Sequence, residues 1–159
     1  MKQKQQTHNP AFFVTFKEWI ARNNGSLTDR LYDRSRPNEQ CRGIVIEPAV
    51  KPIATALFVH GTGNDIIYPS ISLYKFLFNQ GIRVCAFDLD GHGHQGTTLF
   101  SQQNAESFLS WAIEQTRSVS TNDPLFVIGH SLGGTLALAH AAKNSKDLEG
   151  LVLISTPLS

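Results

Sequence analysis

Gly129-His130-Ser131-Leu132-Gly133 is the stretch of this chain whose residue types and spacing can do chemistry. A serine with glycine two positions before and two positions after it suits a sharp turn between a strand and a helix. The turn forces the serine backbone into a strained conformation, and glycines at 129 and 133 remove side chains that would collide with it. It also sets the hydroxyl before the N–H groups of a helix N-terminus, whose dipole stabilises developing negative charge. The chemistry on offer is nucleophilic attack by Ser131 through a covalent intermediate. The plainer alternative is a glycine-bounded turn with no reactive role. The flanks favour the first reading, because 124–128 is an apolar run of strand length and 135–143 reads as helix.

Such a turn needs a scaffold. Residues 1–8 are polar and read as a frayed end. Asn9-Pro10 suits a helix start, with Phe12, Phe13, Phe16, Trp19 and Ile20 on one face and Gly25 as the stop. That helix either lies on a membrane or partner, or packs on the domain; its polar face is poor in Lys and Arg, which favours packing. An edge strand is expected near Leu31-Tyr32, then strands over 42–47 and 54–59, the latter apolar throughout as in a sheet covered on both faces. A helix follows over 69–80, with Ile71, Tyr74, Leu77 and Phe78 on one face. Then come a strand over 83–88, a helix over 104–118 capped by Asn104, and a last strand over 151–155. Alternating strands and helices predict a parallel α/β sheet. The expected division is an N-terminal amphipathic helical region, 1–25, and the N-terminal part of an α/β domain, 26–159.

Composition narrows the function classes. The 159 residues are 41% hydrophobic and 17% charged, with a net charge of +1. That is a globular composition with scattered basic residues, which argues against nucleic-acid binding. Two cysteines, Cys41 and Cys85, give neither a disulfide framework nor a metal spacing. No stretch has the apolar length of a transmembrane segment, no signal peptide is evident, and a cytoplasmic location is the expectation.

Three motifs in order complete the picture: His60-Gly61-Thr62-Gly63 after one strand, Asp88-Leu89-Asp90-Gly91-His92-Gly93 after the next, and Gly129 to Gly133 after a third. In this order they resemble the N-terminal half of an α/β-hydrolase. The likeness is to the serine-nucleophile branch that includes monoacylglycerol lipases, lysophospholipases and serine aminopeptidase S33-like hydrolases. It runs from about Gly43 to Pro157. It implies a three-layer α/β fold with a mostly parallel sheet, truncated after the sixth strand. It further implies an acyl-enzyme at Ser131, an oxyanion hole formed by the backbone N–H groups of Thr62 and Leu132, and a small ester or acyl substrate. No cofactor is implied. His60, Gly61, Gly63, Asp88, Gly91, His92, Gly93, Gly129, His130 and Gly133 are then structural members of the motifs, His92 orienting its loop rather than acting as the base. A metal reading of Asp88, Asp90, His92 and His94 begins like a calcium loop, but Leu99 stands where a bidentate Glu is required.

The likeness also exposes a gap. A serine needs a histidine to take its proton and a carboxylate to orient that histidine, in the chain order Ser, acid, His. After Ser131 come only His140, Asp147 and Glu149. His140 lies roughly 13 Å further along the same helix at 1.5 Å rise per residue, and it precedes both acids. The expectation is therefore that the acid and the base lie outside these residues. A partner chain or a C-terminal continuation would then also cover the edge of the last strand. The rival readings are a non-catalytic interaction module derived from a hydrolase, a serine aminopeptidase-like peptidase, or a thioesterase.

Overall fold

The computed structural model describes residues 10–34, 39–68, 70–93, 101–120 and 122–157. Asn9, Pro69, His94, Leu99 and the polar 1–8 segment of the sequence reading lie outside them. Among the described residues the elements are α1 (Pro10–Arg22), β1 (Ser26–Asp33), β2 (Gln40–Glu47), β3 (Ala54–Val59), α2 (Ile71–Asn79), β4 (Ile82–Phe87), α3 (Gln102–Val119), β5 (Leu125–His130), α4 (Leu132–Lys143) and β6 (Gly150–Ile154). A 3-10 turn, Ser145–Asp147, joins the last two.

β3 is the middle of the sheet, and all six of its residues are buried. It pairs in parallel with β4 on one side and β5 on the other, and β5 pairs in parallel with β6. β1 and β2 add an antiparallel margin, giving the order β1-β2-β4-β3-β5-β6. The chain leaves β3 for β4 and returns to β3's other side as β5. A crevice therefore opens at the carboxyl ends of β3 and β5, where open α/β sheets bind ligands.

Alternation along the strands divides the core into two layers. Ala56, Phe58, Ile44, Ile46, Val84 and Ala86 face α1 and α2. Leu57, Val59, Cys85, Phe87, Leu125 and Val127 face α3 and α4. The period of two in β3 is invisible as hydrophobicity because both faces are dry. α1 packs on the domain through Phe16 and Ile20, each 1% exposed, with Phe16 against Tyr74 and Trp19 edge-on to Phe78. Burying a side chain such as Phe16 contributes about 1.5–3 kcal/mol. Phe12, on the same helical face, stands 52% exposed.

Other differences are of detail. β1 runs the full eight residues rather than a few around Leu31, because the β2 register from Ser26↔Glu47 to Asp33↔Gln40 is unbroken. α3 starts earlier than expected: its cap is Ser101, whose hydroxyl accepts from the Asn104 N–H at 3.1 Å, so Asn104 is inside the first turn. α4 begins at Leu132, straight after the serine. β6 is one of the two edge strands of the sheet, opposite β1, with Val152 46% exposed. No described helix is long and apolar enough to cross a membrane.

Candidate active site

Ser131 joins β5 to α4 with φ +52° and ψ −121°, a combination that L-residues rarely adopt. Three backbone bonds hold it there. Its N–H donates to the Ile154 carbonyl of β6 at 2.9 Å, and its own carbonyl accepts from Gly134 and Thr135 at 2.9 and 3.2 Å. The strain is thus fixed by the neighbouring strand and by the first turn of the helix. No room remains for side chains around it. A Cβ on Gly129 would meet Gly134 Cα at 2.5 Å, and one on Gly133 would strike the carbonyl oxygens of Val59 and His60.

The loop after β3 closes over this corner. A Cβ on Gly61 would lie 2.9 Å from the Ser131 Cβ and 3.0 Å from His130 Nδ1, so the two turns are in contact. Asn64 N–H donates to the Gly61 carbonyl at 3.4 Å, and Gly63 has φ +75°, the sign required at the third residue of a type II turn. Thr62 and Gly63 are exposed, while His60 and Gly61 are buried. Thr62 and Ser131 therefore share one solvent-facing corner at the carboxyl ends of adjacent strands.

The third motif lies alongside. Asp88 is fully buried, and its Oδ1 accepts from the Ile66 N–H at 3.1 Å. Gly93, at φ +50°, runs so close to the Asp88 carboxylate that a side chain would strike it. Gly91 turns the chain at φ +78°. His92 Nδ1 is 2.9 Å from the Asp90 carbonyl, and its ring stands edge-on to His60 with centroids 5.5 Å apart. His60 has both nitrogens in use, at the Gly61 carbonyl (2.9 Å) and at the Leu89 N–H (3.0 Å). Burial lowers its pKa to about 4, the Gly61 carbonyl only partly offsetting that, so the ring is neutral near pH 7. Among the described residues nothing hydrogen-bonds the Ser131 hydroxyl, and no group of three or more His, Cys, Asp or Glu could hold a metal ion. Asp88 and Asp90, whose spacing only begins like a calcium loop, are engaged with Ile66 and with Arg34. His140 is 8% exposed on α4 and lines a cavity of about 460 Å³ between α3 and α4, with Ile113, Glu114 and Arg117.

Sequence reasoning did not single out Arg34. Its guanidinium pairs with Asp90 at 3.0 Å, side chains 3% and 1% exposed, beneath the rings of Phe108 and Trp111. It also missed Ser155, at φ +49°, and Thr156, which fills the space against Gly134.

The serine aminopeptidase S33 family matches residues 50–159, well over half of the chain. The chain belongs to that family. An uncharacterized abhydrolase domain-containing protein of Dictyostelium discoideum is 33% identical over 115 residues, covering 70% of this chain and 12% of that protein. Monoglyceride lipase of Homo sapiens is 27% identical over 113 residues, covering 69% of this chain and 37% of its own length. A proline iminopeptidase of Thermoplasma volcanium is 34% identical over 115 residues, covering 67% and 37%. The chain thus spans well under half of each of these relatives. The fold is that of a thermostable carboxyl esterase from Bacillus coagulans, with TM-score 0.72 at 20% identity over 80% of this chain and 43% of that one. The α/β-hydrolase architecture expected from the three motifs is the architecture found.

Proposed function

We propose that this S33-family chain carries the nucleophile and the oxyanion hole of a serine hydrolase acting on carboxylic esters. The observation behind the proposal is the contact between two turns: strained Ser131 at the start of α4, and the Gly61–Thr62 loop against it. In this reading a base removes the Ser131 proton and Oγ attacks the acyl carbon. The Thr62 and Leu132 N–H groups, with the α4 dipole behind the second, hold the resulting oxyanion. Collapse expels the alcohol, which takes back the proton, and water then attacks the acyl-enzyme by the same route. Each amide is worth about 3–4 kcal/mol of transition-state stabilisation.

The base and its carboxylate come from outside the described residues. His60 is committed at both nitrogens, and His140 faces α3. Edge strand β6 fits the same reading, since a partner chain or a C-terminal continuation bringing the histidine would cover it. A peptidase reading is favoured by the family description and by the iminopeptidase relative. Turnover of a prolyl arylamide in preference to a monoacylglycerol would replace the ester assignment with that one.

The test is a fluorophosphonate probe on the whole protein from its native source. Mass spectrometry is expected to place the adduct on Ser131, and Ser131→Ala to abolish it. Labelling elsewhere, or none with a folded protein, would sink the assignment.

A further inference from the structure

The tautomer of His60 follows from its partners. The Leu89 N–H can only donate, so Nε2 carries no proton and Nδ1 does. Nδ1–H then donates to the Gly61 carbonyl at 2.9 Å. In a planar trans peptide the C=O and the following N–H point to opposite edges. A ring that fixes the Gly61 carbonyl on its own side therefore fixes the Thr62 N–H on the far side, away from itself. Burial at 1% exposure leaves the imidazole no water to exchange for either partner.

The acceptor side of the ring is fixed in turn by the loop after β4. Leu89 is fully buried, and the next residue, Asp90, is held by Arg34 from the end of β1. The Arg34 guanidinium lies 4.9 Å from the Trp111 ring and 5.2 Å from the Phe108 ring, both on α3. An ion pair this deep is costly to break by halves, since the surviving charge is left dry. The charged and titratable groups around His60 are His92, Asp65 and His130. The loop is also tied where it leaves β4, since Asp88 accepts from Ile66, so the β3 and β4 loops form one splint.

We propose that His60 is a positioning residue whose Nδ1–H aims the Thr62 N–H at the oxyanion site, with the Arg34–Asp90 pair holding the loop that sets the ring. This rests on the reading of Ser131 and Thr62 given under Proposed function.

The experiment compares an aryl ester with its thiono analogue on the whole protein. A C=S group accepts hydrogen bonds poorly, so the oxo/thiono ratio of kcat/KM reports how well the oxyanion donors are placed. His60→Ala is expected to lower kcat on the oxo ester by about 10²–10³ with little change in KM, the scale of one lost oxyanion donor. It should also cut the oxo/thiono ratio by a similar factor. His60→Asn keeps an N–H for the Gly61 carbonyl and should recover at least tenfold of the loss. Asp90→Asn should move the ratio the same way, by less. Equal losses on both substrates in folded variants, or a loss confined to KM, would show a merely structural histidine and overturn the proposal. Should the variants fail to fold, ring 15N spectra of the unaltered protein decide: the Nδ1–H tautomer at neutral pH supports it, and the Nε2–H tautomer refutes it. A protein that neither turns over the ester nor labels at Ser131 fails at the earlier reading instead, and this inference falls with it.

Discussion

Acidification should destabilise this protein through His60, and the size of the effect follows from its burial. The unfolded imidazole titrates near 6.5, whereas burial in the folded chain lowers the pKa to about 4. Between those values the unfolded state binds a proton that the folded state refuses. Stability from this group is therefore complete above pH 6.5, falls as pH drops through the window, and levels off below the folded value. At pH 5 the loss is roughly 2 kcal/mol, from RT ln of the ratio of the two proton-binding polynomials. For a chain of this length that is about 4–8 °C in Tm. Asp29, a carboxylate with a lowered pKa, stays out of this window. Burial raises its pKa, but the bonds and charges of Arg42 and Lys17 outweigh that, so its contribution is lost only below its ordinary value of 3.8. Urea unfolding at about pH 7.5 and about pH 5 reads the effect, with His60→Asn as the non-titrating control. The unaltered chain should lose roughly 2 kcal/mol more than the variant between the two pH values. Parallel losses in the two proteins would show that the ring is protonated in the fold, and the tautomer argument would fail.

Further outcomes follow from packing and charge. Gly133→Ala puts a methyl group against the Val59 and His60 carbonyls and should cost about 1–3 kcal/mol in urea unfolding, beyond any effect on activity. Arg83→Met removes the cation that joins Thr55 and Asp123, at the amino ends of β3 and β5, to Glu47 at the carboxyl end of β2, and should lower the denaturation midpoint without altering labelling of Ser131. Cys41 and Cys85 are buried with pKa values pushed up to about 12, chiefly by burial. Both should resist a disulfide reagent at about pH 8 in the native state and react promptly in urea.

Much of this was legible in the residues. Ile71, Tyr74, Leu77 and Phe78 named the buried face of α2 because a helix between sheet and solvent has one dry side. The 54–59 strand was read to the residue, its apolar run ending where His60 begins. The serine's strain was readable too, because glycines at 129 and 133 mark the backbone contacts that the turn requires. What stayed hidden was long-range. Arg34 and Asp90 are 56 residues apart, and no local spacing links a charge on an edge strand to one in a loop. The antiparallel margin of β1 and β2 was equally unreadable, since direction of pairing depends on the connection rather than on strand composition. The exposure of Phe12 was unreadable too, because helical periodicity tells which residues share a face but not how far along the helix that face is covered.

The account turns on backbone amides at 62 and 132 converging on whatever oxygen Ser131 carries. A crystal structure of the phosphonylated protein measures that convergence directly. A phosphonyl oxygen within about 2.7–3.1 Å of both the Thr62 and Leu132 nitrogens is the predicted result. An adduct whose oxygens face solvent, or a Thr62 N–H bonded elsewhere in the protein, would contradict it.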